Sequence, residues 1–504
     1  MAPFSTIFGC TLLINVAATF RSSAYWNQYK HLFGFRRDTE YLNDESASLT
    51  ANKASDTSNP TLIAKHADLL KKYLAVYLLS ALSDWLQGPY VYALYDQYGY
   101  TQHEIAVLFV AGFGSSMVFG TFIGGLADSC GRRKFTILFA VIYIASCLTK
   151  HFKDFNVLML GRLLGGVATS LLFSVFDSWL IRSHAEAGVS AFLSKSFATA
   201  QYGNSIVAIL AGLAANKAAS MNTLKPMFDE AGVVYVGGYL NPFDMALVVL
   251  VIAAVLASTT WEENYGEVKE DHEEQKKQSK WYDAFASALK TTLRSKEILY
   301  TGLICSLFEG SMYIFVFMWT PAMKGLSSTT ELPFGLIFAT FMVCCMAGSS
   351  VFSVLVNNFQ VKQLGVYCFV VATFAFALMT FSTSETSTFL AFLLFEMTVG
   401  VYFPTMGTMK SMIVPENKRA AIYNLYRIPL NCIVLFSLLT DLTPKQSFTL
   451  CTCMLTCATF LQTRLIEQEK TFFSTSSNEV TKDEEVGDQS KDNQHETSDD
   501  DKMN

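Results

Sequence analysis

Windows of about 20 nearly uncharged residues recur along this chain, and they restrict it to folds whose solvent is lipid, since a helix needs that length to cross a hydrocarbon core. The segments fall near 4–20, 72–93, 104–127, 133–150, 155–180, 194–216 and 242–260, then 297–320, 334–356, 364–382, 388–410, 420–440 and 446–464. Charged residues make up only 16% of the chain, against roughly 25% in soluble domains. The expected fold is an all-α integral membrane protein with one isolated N-terminal helix followed by two bundles of six.

Domain boundaries follow. Residues 1–66 combine a hydrophobic segment with a polar cytosolic linker, and 67–260 form the first bundle. Residues 261–296 form a central loop, 297–465 the second bundle, and 466–504 a disordered acidic tail with almost no apolar residues. The first segment, PFSTIFGCTLLINVAATF, follows no Lys or Arg, whereas a cleaved signal normally has a basic start. It therefore reads as a retained helix. In the central loop, Trp281, Phe285, Leu289 and Leu293 recur every four residues. This suits either an amphipathic helix on the membrane face or a plain tether.

Basic residues set the orientation, because they are kept on the cytosolic side. Placing 21–71 inside gives 24 Lys and Arg in cytosolic connections against six in the opposite ones, with five more from Arg464 through the tail. The N-terminus is then outside and the C-terminus cytosolic. Away from the segment ends, only Arg162 and Arg427 remain within spans.

Enzyme chemistry finds no support. None of the seven histidines falls in an apolar segment, and HExxH, GxSxG and Gly–Lys–Ser motifs are absent. Nine of the eleven cysteines sit inside the apolar windows of the two bundles as small hydrophobes, with no CxxC pair. No cofactor, metal or nucleic-acid partner is expected, and oligomeric state stays open.

The connection after the second helix of the first bundle reads GGLADSCGRRK. Gly124, Leu126, Ala127, Asp128, Gly131, Arg132 and Arg133 match the loop signature of the major facilitator superfamily, which the chain resembles. Gly131 permits a tight turn. One acid and two arginines can make contacts in one conformation and release them in another. The loop is thus expected to gate. The fourth helix extends the resemblance with Arg162 and Gly166 four apart. Asp177, about 22 Å further along it, is expected to partner the Arg132/Arg133 loop.

A weak internal repeat links the halves. LSALSDWLQGPYVY and LICSLFEGSMYIFV place Asp84 and Glu309 alike, and GRLLGG and FEMTVG set Arg162 opposite Glu396 and Gly166 beside Gly400. Such transporters build their site from corresponding segments of the two halves. Pro429 after Arg427, and Gly88–Pro89 beside Gln87 and Tyr90, mark sites where a helix kinks or frees backbone groups.

The strings DWLQGPYVYALY, ASCLTKHF, GRLLGG, WEENYG, LFEGSMYIFVFMWTP, FEMTVGVYFPTM and NLYRIPLN together resemble the molybdate-anion transporter family within that superfamily. The resemblance spans roughly 70–440 and implies uptake of molybdate, a tetrahedral oxyanion, across the plasma membrane. A dianion in low dielectric needs cations and hydrogen-bond donors. Arg162 and Arg427 offer charge, and Gln87, Tyr90, Asn204, Asn431 and Tyr402 offer neutral donors. Asp84, Glu309 and Glu396 are expected either to pair with the arginines or to carry protons with the substrate. The alternatives are another anion such as sulfate, another small solute, or a membrane sensor with the same fold.

Overall fold

The computed structural model describes residues 2–22, 60–120, 122–227, 232–266, 281–327, 332–356, 358–415 and 419–467. The linker at 23–59, the central-loop stretch 267–280 and the acidic tail lie outside the described residues. Helix α1 is Ala2–Ser22. The first bundle contains α2 (Pro60–Gln87), α3 (Val91–Gln97), α4 (Gln102–Gly120), α5 (Ile123–Cys130), α6 (Arg132–Thr149), α7 (Phe155–Leu172), α8 (Val175–Glu186), α9 (Leu193–Ala219) and α10 (Asn241–Thr260). A surface helix α11 (Trp281–Arg294) precedes α12 (Lys296–Leu326), α13 (Phe334–Leu355), α14 (Val361–Phe381), α15 (Glu385–Ile413) and α16 (Arg419–Leu439). The last helix, α17, is Pro444–Glu467.

Among the described residues, nine helical stretches are long and apolar enough to cross a membrane. Charge keeps α2 and α6 below that mark: α2 carries Lys65, Asp68, Lys71, Lys72 and Asp84, and α6 opens on Arg132, Arg133 and Lys134. Both pack against the apolar α10 nonetheless. The first span is broken where expected. Pro89 lacks an N–H, and Gly88–Tyr90 form a 3₁₀ turn between α2 and α3. At Pro429, by contrast, α16 continues as helix.

The two halves repeat one crossing. In α7, a Cβ on Gly166 would lie 1.9 Å from Ser115 Oγ and 2.2 Å from the Gly112 carbonyl of α4. In α15, a Cβ on Gly400 would lie 1.9 Å from the Cys345 carbonyl of α13. Glycine lets backbones meet in lipid, where helices associate by close packing. Each glycine thus seats the fourth helix of its bundle on the second.

Helix α1 lies along α13. Asn15 Nδ2 donates to the Val343 carbonyl at 2.8 Å, and the Phe4 ring meets Phe389 edge-on at 5.0 Å. These contacts make α1 run parallel to α13 and opposite to α2. Leu13 and Ile14 stay exposed on the outer side. Helix α11 rests on α12 and α16, burying Ala288 and Thr292 while Leu289 and Leu293 remain exposed. Of the two readings of this segment, the helix is the one observed. A two-stranded ribbon, β1 (Lys225–Pro226) with β2 (Tyr235–Val236), joins α9 to α10.

Candidate functional site

Contacts between the halves concentrate at one end, the end carrying loops 98–101 and 440–443. There Lys324 pairs with Asp96, His103 Nδ1 meets Asp441 Oδ1 at 2.8 Å, and Gln102 Nε2 donates to the Leu442 carbonyl at 3.1 Å. Deeper in, Phe317 meets Tyr92 and Phe109 at 5.4 and 5.3 Å, and Phe113 meets Tyr313 at 5.3 Å. Helices α9 and α13 touch backbone to backbone at Gly212 and Gly335. Towards the opposite end, Gln201, Tyr202, Arg427, Ile428 and Cys432 are exposed. The bundle is sealed at one end and open at the other.

The open end carries the signature loop. Gly131 adopts φ 109°, a left-handed value that favours glycine. Its turn closes with Arg132 Nη2 on Asp128 Oδ1 at 2.7 Å. Arg133 donates its backbone N–H to Glu263 Oε1 at 2.8 Å and its Nη1 to the Trp261 carbonyl at 3.2 Å. The segment after α10, WEENYG, therefore straps the loop. Trp261 stacks on Trp179 at 3.9 Å, Trp179 Nε1 donates to the Glu262 carbonyl at 2.9 Å, and Asn264 Nδ2 reaches the Trp179 carbonyl and Ser183 Oγ. Glu263 holds the place expected for Asp177. Asp177 instead accepts from Tyr73 at 3.4 Å, because its position on α8 faces α2. Gly124 meets nothing within 4 Å and imposes no close contact.

Beside the strap lies a buried relay. His184 Nδ1 faces the Leu180 carbonyl at 2.9 Å, which can only accept, so that nitrogen carries the proton. In the neutral ring Nε2 then accepts from Ser196 Oγ at 2.9 Å. Ser196 Oγ in turn accepts from His66 Nε2 at 2.9 Å.

The proposed ligands separate into two groups. Tyr90 belongs to the seal: its hydroxyl accepts from the Gly335 N–H at 3.3 Å and is 3.5 Å from Asn216 Oδ1. Gln87 is buried and donates Nε2 to Ser83 of its own helix. Arg162 is half-buried behind the seal, with Nε on the Leu108 carbonyl at 3.2 Å and its guanidinium over the Phe109 ring at 4.5 Å. Asn204 accepts from Trp85 Nε1 at 2.9 Å, and Asn431 Nδ2 lies 2.8 Å from Met117 Sδ of the other half. Arg427 alone of the two arginines is exposed on the open side, without an ion pair among the described residues.

No carboxylate pairs with either arginine among the described residues. Asp84 accepts from Tyr143. Glu309 accepts from Tyr402 at 2.9 Å and faces Lys410 at 3.7 Å. Glu396 is buried against Cys344 and Cys345. Asp84 and Glu309 do share a pattern, each holding a tyrosine hydroxyl of its own half. Lys410 is a further charged group at this level, outside the residues singled out from the sequence. Helix α15 runs on to Ile413, so Lys410 stands a turn inside. The length of the apolar run past Pro404 was the available signal.

Comparison with known proteins agrees with this architecture. A family profile described as "Sugar-transporters, 12 TM" matches residues 45–390. The molybdate-anion transporter of Xenopus tropicalis is 33% identical over 398 residues, covering 77% of this chain and 82% of that protein. Its Takifugu rubripes counterpart is 33% identical over 415 residues, covering 78% and 82%. Among solved structures, a D-xylose-proton symporter superposes with a TM-score of 0.58 at 12% identity, covering 78% of this chain and 96% of that one. A bacterial homologue of the human lysosomal transporter Spinster gives 0.59 at 12% identity, covering 81% and 97%. Relatives and fold neighbours alike are transporters rather than enzymes. A chain with this helical architecture, this loop signature and relatives matched over about four fifths of their length belongs to the molybdate-anion transporter family of the major facilitator superfamily.

Proposed function

We propose that this chain carries molybdate into the cell across the plasma membrane by alternating access, with protons as the coupling ion. The carrying observation is the set of relatives, matched over 82% of their length, that bear this activity in their names. The charge of the open side supports it: Arg427 is exposed and unpaired among the described residues, and its planar fork suits two oxygens of a tetrahedral anion. With the basic loops and the C-terminus in the cytosol, the open end faces inward, so the structure corresponds to the releasing state. Asn204 and Asn431 stand as neutral donors along the pathway. Arg162, Gln87 and Tyr90 act on the seal rather than on the anion, and Asp84, Glu309 and Glu396 are the proton-carrying candidates.

Coupling has an energetic motive. Each charge moved against the membrane potential costs about 2.3 kcal/mol per 100 mV, hence about 4.6 for a dianion, which two co-transported protons cancel. The family description names sugars instead. A neutral sugar gives no reason for an unpaired Arg427 beside the open pathway, although fold alone does not choose the substrate. Cellular uptake tests the reading. Cells expressing the chain should gain molybdenum, measured by mass spectrometry, faster in acidified medium, and Arg427→Ala should abolish the gain. Uptake indifferent to pH and to membrane potential contradicts the coupling.

A further inference from the structure

Lys410, which has no part in the transport reading, forms a charged pair with Glu309. Glu309 lies midway along α12 and Lys410 near the end of α15. Their side chains are each 23% exposed, and Nζ stands 3.7 Å from Oε1. That separation is an ion pair without hydrogen-bond closeness, and such a pair is loosely held. Tyr402 donates to the same Oε1 at 2.9 Å, which leaves Oε2 to take a proton. The Lys410 ammonium sits 5.5 Å from the centre of the Tyr423 ring on α16. Arg427 is one helical turn beyond Tyr423, on the same face. Tyr313, one turn beyond Glu309 on α12, lies within electrostatic reach of both Glu309 and Arg427. Three charged groups from three helices of the second half thus lie near one another, one carboxylate and two cations, linked through tyrosines.

We propose that Lys410 is an oxyanion-binding residue latched by Glu309, so that protonating Glu309 releases the ammonium to bind the anion together with Arg427. This rests on the oxyanion reading above and deepens it. The charges balance. While Glu309 is ionised it cancels Lys410, and the site offers one net positive charge from Arg427. A proton added to Oε2 removes the carboxylate's charge, and two cations then face a dianion. The groups facing Glu309 are Tyr402 and Lys410 from α15 and Cys305 and Tyr313 from its own helix; from α16, Tyr423 faces Lys410 and Arg427 faces Tyr313. Lys410 is thus the one cation in ion-pair contact with the carboxylate among the described residues. The latch gives the proton a place in the cycle, since it arrives on the same group that otherwise occupies the anion's ligand.

The test uses the full-length protein in detergent and in proteoliposomes, with radiolabelled molybdate as probe. Wild type should bind more tightly at acid than at neutral pH. Glu309→Gln should bind at neutral pH as wild type does in acid, lose the pH dependence, and lose acid-driven accumulation while keeping exchange. Lys410→Gln should weaken binding by about tenfold or more, and Lys410→Arg should restore most of it. The double variant Glu309→Gln/Lys410→Gln separates ligand from strut. A merely structural pair recovers once both charges are gone, whereas a ligand does not. If wild type takes up molybdate and Lys410→Gln or the double variant matches it, the latch is overturned and the transport reading stands. If wild type neither binds nor moves molybdate, both fall.

Discussion

Replacing Gly335 by alanine should tip the molecule out of the sealed state seen here. At this position the added Cβ would lie 2.3 Å from the Gly212 carbonyl and 2.7 Å from Asn216 N across the interface between the halves. These are backbone atoms, which cannot rotate aside. Restoring an ordinary contact of about 3.4 Å requires α9 and α13 to part by about 1 Å, the difference from 2.3 Å. Overpacking of this kind costs typically about 1–3 kcal/mol. The gain in helix propensity, close to 1 kcal/mol for Gly to Ala, applies in both conformations and cancels. The whole cost therefore falls on the sealed state and shifts the equilibrium about 5–150-fold towards the state open at this end. Spin labels at Ser220→Cys and Thr383→Cys, one on each half, would report the separation once the exposed cysteines Cys10, Cys130, Cys432, Cys453 and Cys457 are replaced. A longer-distance population should appear in Gly335→Ala. Gly325→Ala, whose Cβ meets nothing within 4 Å, should leave it unchanged. Identical distributions in all three proteins would refute the packing argument.

Three further outcomes follow from local geometry. Gly400→Ala places its Cβ 1.9 Å from the Cys345 carbonyl, whereas Gly407→Ala on the same helix meets nothing. The first should melt several degrees below wild type by thiol-independent thermal unfolding and the second should not; equal stability removes the crossing argument. Burial lowers the proton affinity of His151, but Asp244 at 2.9 Å and the Tyr235 carbonyl outweigh it, so its folded pKa lies above 6.5. Its stabilisation is fully present below the unfolded value and fades as pH rises through the folded one. His151→Asn should thus lose most stability in mild acid and converge with wild type in alkali; a deficit that grows with pH would reverse the sign. Asp154 caps α7 by accepting from Asn156 N and Val157 N at 2.9 and 3.0 Å, and Asp154→Ala should cost about 1 kcal/mol, read as a lowered melting point with molybdate transport retained.

The membrane architecture was legible because lipid imposes it residue by residue: a span must be apolar for about 20 positions, and few other features are needed. The turn at Gly131 and the break at Gly88–Pro89 were legible for the same local reason, since each depends on the backbone of one or two residues. The site was less so. Tyr90 read as a ligand but closes the seal, and Asp177 read as a loop partner but faces Tyr73. What decides each case is the rotation of a helix about its axis, and an almost wholly apolar span carries little periodicity to fix it. Glu263 reaches Arg133 from a segment 130 residues away in sequence, a contact that no local pattern encodes. Lys410 was hidden by a boundary: an apolar window ends where its first charge appears, although the helix runs on.

The most direct test of the account is uptake of radiolabelled molybdate by the purified protein in sealed proteoliposomes under an acid-outside pH gradient, with excess sulfate as competitor. Molybdate should accumulate above equilibrium, and the accumulation should collapse with the gradient and in Arg427→Ala but survive sulfate at concentrations saturating for molybdate. Binding of molybdate without accumulation, by protein correctly inserted and folded, would contradict it and make the chain a sensor.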